Sequence, residues 1–224
     1  FKQVMIGNIR QLSSRITGQQ FTIFTRSIYL HKGPRVEGLK RDPEAAFINP
    51  KGIKYGLNET NISHIKSFLG DKYNIPDEIA LQVITHKSFG NGIKPYNEKL
   101  AAMGSKLLSL YFAKYVTNQP CKHDNGVEGK NLDVLGSPMS RELPSLKTAA
   151  IFAKSNNINE IMFWHTRNST LGFESSGELK VSGELLFSLV GAVNFYHGKN
   201  KAEQFITEKL VDQFEKISAQ NVRN

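Results

Sequence analysis

The sequence predicts a mainly α-helical domain carried behind an extended basic N-terminal arm. Three observations predict it. Apolar residues recur at helical spacing from Ile62 to about Ile217. No pair of segments alternates as paired strands do, and no internal repeat or low-complexity tract interrupts the pattern. The charge divides the chain in two: residues 1–41 hold eight basic side chains and one acid, Glu37, a net of +7, whereas the remaining 183 residues hold 21 basic and 19 acidic.

The arm, residues 1–56, is punctuated by Gly18, Gly33, Pro34, Gly38, Pro43, Pro50, Gly52 and Gly56, so no helical period survives in it and it is expected to be extended and ordered by a partner. Residues 57–217 are expected to form the domain and residues 218–224 a tail. Ile62, Ile65, Phe68 and Leu69 mark a first helix, which Gly70 is placed to end. A second opens after Pro76, with Asp77 as cap or first-turn acid, and runs through Ile79, Val83 and Ile84. The longest runs from Asn97 to Val116, with a wide stripe of Leu100, Met103, Gly104, Leu107, Leu108, Tyr111, Phe112, Tyr115 and Val116 that requires burial against other helices. Polar Asn118–Pro138 reads as a loop. Leu143–Ser155 reads as a helix, Glu160–Leu179 has no period, and two helices close the domain, Gly183–Tyr196 and Lys201 to about Ile217, parted at Gly198-Lys199-Asn200.

Hydrophobic residues at 39% and charged residues at 22% are those of a folding chain. The net charge of +9 suits a polyanionic partner, and no apolar run approaches the length that spans a bilayer, so no membrane insertion is expected. One cysteine, Cys121, excludes an internal disulfide and points to a reducing compartment. The first residue is not Met, and the acid-free opening with Arg10, Ser13, Ser14, Arg15, Arg26 and Ser27 has the composition of an organellar transit segment or its remnant; a retained basic arm is the competing reading.

Three stretches carry the chemistry. They are Ala80-Leu81-Gln82-Val83-Ile84-Thr85-His86-Lys87-Ser88, then Asn97-Glu98-Lys99-Leu100-Ala101-Ala102-Met103-Gly104-Ser105-Lys106-Leu107-Leu108, then Glu184-Leu185-Leu186-Phe187-Ser188-Leu189-Val190-Gly191-Ala192-Val193. In order and spacing they resemble the ribonuclease III family, whose corresponding segments read A-L-x-x-A-L-T-H-R-S, N-E-R-L-E-F-L-G-D-x-x-L and D-x-x-E-A-L-I-G-A-x. The resemblance implies a ribonuclease III-like helical domain over about residues 57 to 217, with no double-stranded RNA-binding domain within this sequence.

In that family, carboxylates on the second and third segments hold Mg²⁺ against the scissile phosphate and acidify the attacking water. Positions i, i+3 and i+7 of a helix share a face, so acids so spaced converge on a metal. The matching positions here are Glu98, Ala101 and Ser105, then Glu184 and Phe187. Two carboxylates remain of five, and an aromatic ring stands where one belongs. The resemblance therefore implies a catalytically degenerate site with no metal and no cofactor, and not an enzyme. Simpler readings stand beside it: Glu98 and Glu184 as acids complementing helix N-termini, His86 as a local turn residue. Cys121, His123 and Asp124 fall short of a four-ligand zinc site, and no hydrolase nucleophile motif is present.

The Phe that fills the partner's socket in family dimers is Ala102 here, which implies a heterodimer with another ribonuclease III-like protein, with a monomer as the competing reading. The departures, together with the basic arm, resemble the fungal mitochondrial large-subunit ribosomal members of the family. That likeness implies a place in the mitochondrial matrix, on the mitochondrial ribosome, with ribosomal RNA and other mitochondrial ribosomal proteins as partners. Lys2, Arg10, Arg15, Arg26, Lys32, Arg35, Lys40 and Arg41 are then the expected RNA-binding residues, neutralising phosphates, with Phe21, Phe24 and Tyr29 available to stack on bases or pack on the domain. A nuclease completed by a partner's acids, or an inactive partner of one, is the alternative.

Overall fold

The structure, a computed structural model, describes residues 47–119, 126–166 and 170–223. Among them are eight α-helices, α1 Glu59–Leu69, α2 Asp77–Val83, α3 Glu98–Thr117, α4 Pro138–Glu142, α5 Leu146–Ser155, α6 Glu178–His197, α7 Lys199–Lys209 and α8 Val211–Arg223, with short 3-10 turns between. No strand longer than an isolated bridge occurs among these residues. The mainly α class is what the periodicity predicts.

Helix α6 is the axis. Every residue from Val181 to Val193 is buried except Glu184, so this helix is apolar nearly all round and must be enclosed by others. Helix α3 makes the most extensive contact with it, α5 the next, and α7 and α2 cover the rest. Glycine permits the α3–α6 approach. A Cβ on Gly104 would lie 1.8 Å from the Phe187 carbonyl oxygen, and one on Gly191 would lie 2.1 Å from that of Leu100, so the two backbones touch with no room for a side chain. Farther out, Phe112, Phe152 and Phe214 form an aromatic cluster with centroids 5.2–5.5 Å apart, tying α3, α5 and α8 together.

Local chemistry explains the boundaries. Gly70 at φ 67° ends α1, its N–H returning to the Lys66 carbonyl. The helix expected over Leu143–Ser155 starts three residues late, at Leu146: a separate short α4 stops at Glu142, Pro144 follows, and α5 opens under a cap in which Ser145 Oγ accepts from Thr148 N at 3.1 Å, an arrangement worth about 1 kcal/mol. The expected closing helix from Lys201 is two, meeting at Leu210, and the second continues through Arg223. Helix α6 begins five residues before Gly183, which packs its bare α-carbon against the Leu146 carbonyl. The polar 118–138 segment also holds a 3-10 turn, Leu132–Gly136.

Residues 47–56, expected as part of an extended arm, are packed onto the domain. The rings of Phe47 and Tyr55 lie 6.2 and 5.6 Å from that of Phe89, and Asn49 is buried with both amide ends bonded. Aromatic burial outweighs the Gly and Pro breaks there.

Candidate functional site

A cleft of about 260 Å³ opens where α6 is not enclosed. Glu98, Ala101, Ser105, Glu184 and Phe187 all line it, together with His86, Lys87, Asn97, Ala102 and Leu146. The fold thus brings together all five positions marked by the family resemblance.

Two loops of backbone fix its walls. Val83 at the end of α2 offers its carbonyl to Asn97 Nδ2 at 3.0 Å and to Ser188 Oγ at 3.2 Å, joining α2, α3 and α6 at one oxygen. Beyond it, Ile84–His86 pairs with Phe163: Phe163 N donates to the Ile84 carbonyl and His86 N to the Phe163 carbonyl, both at 2.9 Å. This bridge delivers His86 and Lys87 to the cleft edge.

Each of the two carboxylates is met there by a base. Glu184 Oε2 lies 3.2 Å from His86 Nε2, and its Oε1 lies 3.8 Å from Lys180 Nζ. The hydrogen-bond network fixes the imidazole: His86 Nδ1 accepts from Ser88 N at 3.2 Å and contacts Ser88 Oγ at 2.8 Å, and that hydroxyl accepts from His165 N at 3.0 Å. Nδ1 is therefore the acceptor, and Nε2–H is left to donate to Glu184. The bond from His86 holds the Glu184 carboxyl below its ordinary value despite half-burial, with Lys180 and Lys87 adding to the effect. Glu98 accepts from Lys87 Nζ at 2.7 Å, and the same ammonium feels the charge of Glu184, so Lys87 is a counter-cation to both acids.

The other three positions offer no charge. Ala101 and Phe187 are buried apolar groups, each 8% exposed. Ser105 Oγ donates to the Ala102 carbonyl of its own helix at 3.0 Å. Asn97 Oδ1 is out of water without a partner among the described residues, but it is a neutral oxygen, while Mg²⁺ sites of this kind rely on carboxylates. The residues present do not fit a resident Mg²⁺ ion, and among the described residues no group of three or more His, Cys, Asp or Glu side chains is placed to hold a metal.

The structure also sorts the simpler readings. Glu98 is the first residue of α3, so a dipole role is open to it. Glu184 is six residues into α6, too far from its N-terminus for that. His86 does make the local turn contact expected of it, through Ser88, and in addition binds Glu184. The motif around His86 and Lys87 was visible in the sequence, but nothing in its spacing reveals that the two bases face the acids. The arm residues Lys2, Arg10, Arg15, Arg26, Lys32, Arg35, Lys40 and Arg41, the aromatics Phe21, Phe24 and Tyr29, and the group Cys121, His123 and Asp124 lie outside the described residues.

A family model described as ribonuclease-III-like matches residues 76–214, more than half of the chain and the whole of this cleft. The chain belongs to the ribonuclease-III-like family. It is 24% identical over 153 residues to the large ribosomal subunit protein mL57 of Neurospora crassa, an alignment covering 63% of this chain and 57% of that one. The chain thus spans little more than half the length of that curated relative. Two solved structures of the nuclease domain of ribonuclease III from Campylobacter jejuni superpose with TM-scores of 0.50 and 0.51 at 22% identity, covering 70% of this chain and 97% and 95% of theirs. At that identity the likeness is one of fold.

Proposed function

We propose that this protein is a structural, rRNA-binding component of the mitochondrial large ribosomal subunit, built on a ribonuclease-III-like domain that does not cut RNA. One observation carries the loss of activity: in the cleft where five acids would hold metal, two remain, and each is already paired with a base, Glu98 with Lys87 and Glu184 with His86. The likeness to mL57 supports the ribosomal placement. The basic arm supplies the RNA affinity. Its eight Lys and Arg side chains neutralise phosphates whatever the sequence, a contribution that weakens with salt.

A second ribonuclease-III-like protein is the proposed neighbour. Ala102 and Leu110 lie exposed along α3, the latter at 49%, so this face offers a small residue where a symmetric dimer of the family places a ring, and it suits a differently shaped partner.

Gradient sedimentation of native lysate tests the reading. The protein is expected to travel with large ribosomal subunits, and deletion of residues 1–41 to release it while the remaining domain keeps its helical circular dichroism. An arm-less protein that still sediments with subunits overturns the role given to the arm. Mg²⁺-dependent cutting of duplex RNA that disappears in Glu98→Gln or Glu184→Gln would replace the scaffold by a processing nuclease.

A further inference from the structure

Trp164 and Thr166 help to line a second cavity, of about 150 Å³, with residues 49–51 and the start of α6. Its apolar walls are Met162, Trp164 and Leu171, and its polar groups include Lys51, Thr166 and Glu178. An indole beside aliphatic side chains, with polar groups in the same lining, suits a planar heterocycle of about the size of one nucleobase.

The polar groups are held in place and not used up. Asn49, 5% exposed, accepts from Lys51 N and Ile53 N and donates to the Met162 carbonyl, which fixes the wall that bears Lys51. Lys51 Nζ spends one of its three protons on the Glu160 carbonyl. Asn159 Nδ2 donates to Glu178 Oε1 at 3.4 Å and to Ser182 Oγ at 3.1 Å, orienting a carboxylate whose Oε2 accepts from no described residue. Thr166 Oγ1 is out of water with no partner among the described residues, a state that a ligand atom would relieve.

We propose that this cavity captures an unpaired guanine base of RNA, stacked on Trp164 with its edge read by Glu178, Thr166 and Lys51. The proposal deepens the rRNA-binding reading and rests on it. Guanine alone among the bases presents two parallel donors, N1–H and N2–H, to a carboxylate, beside acceptors, O6 and N7, that suit a hydroxyl and an ammonium. Adenine would set the N1 lone pair, and uracil its carbonyls, against the carboxylate. An arginine side chain from a protein partner would satisfy Glu178 but would meet the Lys51 ammonium. The mixed donor and acceptor set therefore favours the base over the cation.

Trp164 is the sole tryptophan of the chain, so its fluorescence reports on this cavity alone. The full-length protein is titrated with single-stranded oligouridines carrying one central guanosine, adenosine or inosine, reading Trp quenching for the cavity and probe anisotropy for total binding. The guanosine strand is expected to quench, with the other two weaker by roughly tenfold or more, because one bidentate base contact is lost or broken. Glu178→Gln and Thr166→Val, which keep side-chain size, are expected to erase that preference while circular dichroism and anisotropy of the plain oligouridine stay unchanged. RNA binding by anisotropy with no base preference in the quenching overturns the cavity and leaves the rRNA reading standing; no RNA binding at all overturns both. Quenching by free guanosine monophosphate as tight as by the strand moves the ligand from RNA to a free nucleotide and overturns the RNA assignment. Saturable quenching by an arginine-containing peptide, with none by guanosine strands, overturns it in favour of a protein partner.

Discussion

The α3–α6 pair has two neighbouring regions that differ in what substitutions their geometry allows. At Gly104 and Gly191 the backbones meet so closely that any side chain would overlap a carbonyl oxygen. Beside that contact, on the same two helices, the cleft accommodates Ala101, Ser105 and Phe187 where the family's resemblance calls for acids. The difference is physical. A backbone contact has no substitute, because neither helix can retreat without opening the buried face of α6. A carboxylate cluster has several substitutes, since its mutual repulsion is removed as well by deleting an acid or supplying a lysine as by binding a metal. Fold and chemistry occupy the same helices yet are held by independent constraints.

The largest expected effect breaks the first region. Gly104→Ala places a methyl carbon 1.8 Å from the Phe187 oxygen, and the helices must part by more than any rotamer can relieve. Destabilisation of about 3 kcal/mol or more is expected, read as a lower urea midpoint at unchanged slope. A stability loss below about 1 kcal/mol would mean that the two helices are not locked at this point.

A smaller effect is expected from rebuilding the second region. Ala101→Glu, Ser105→Asp and Phe187→Glu together restore acids to every marked position and remove a buried ring. Without metal the triple variant should lose about 2 kcal/mol through lost packing and carboxylate repulsion. Millimolar Mg²⁺ should restore part of that as a rise in melting temperature, by mass action on the folded state alone. The same addition should leave the wild type unmoved. A metal-dependent rise in the wild type would show that Lys87 and His86 do not hold its acids.

Much of the first region was legible in the sequence, and the second only in part. The stripe from Leu100 to Val116 and the glycine after Leu69 are local signals, and helices stand where they place them. Helix α6 is announced late because its first turns, from Glu178, mix polar residues into what becomes a buried rod. Helix α4 is too short to show a period, and the break at Leu210 carries no Gly or Pro to mark it. In the cleft, the family resemblance marked Glu98, Ala101, Ser105, Glu184 and Phe187, and the helical period puts those of each helix on one face. Neither could pair them with His86 and Lys87, whose approach depends on the Thr85–Phe163 bridge, a contact between segments far apart in the chain. Trp164 and Thr166 come from the stretch without period, where pattern gives no placement.

Within the cleft, the half-buried pair should outweigh the exposed one. Glu184→Gln keeps the shape and removes the charge that accepts from His86 Nε2, at a cost of about 1 kcal/mol at neutral pH. The pH dependence has a definite sign. The folded-state pKa of Glu184 lies below its ordinary value of 4.5, so its contribution is fully present above 4.5 and is lost as pH falls through the folded value. Urea unfolding of wild type and variant should therefore differ at pH 7 and converge in acid. A difference that persists at the lowest pH where both fold would assign the effect to packing and not to charge.

The smallest stability effect belongs to Lys87, and it is the sharpest test of the comparison. Its ion pair with Glu98 has both side chains more than half exposed, so Lys87→Met alone should leave the urea midpoint almost unmoved, the more so at high salt. Its electrostatic reach exceeds its structural weight, because it faces both acids. In the triple variant with restored acids, adding Lys87→Met removes the ammonium bonded to Glu98 and leaves Lys180 beside Glu184. Mg²⁺ binding, followed by titration calorimetry, should then tighten severalfold while the metal-free stability falls further. Equal affinity with and without Lys87 would mean that the side chain is a bystander, and that the cleft excludes metal through Phe187 and its missing acids alone.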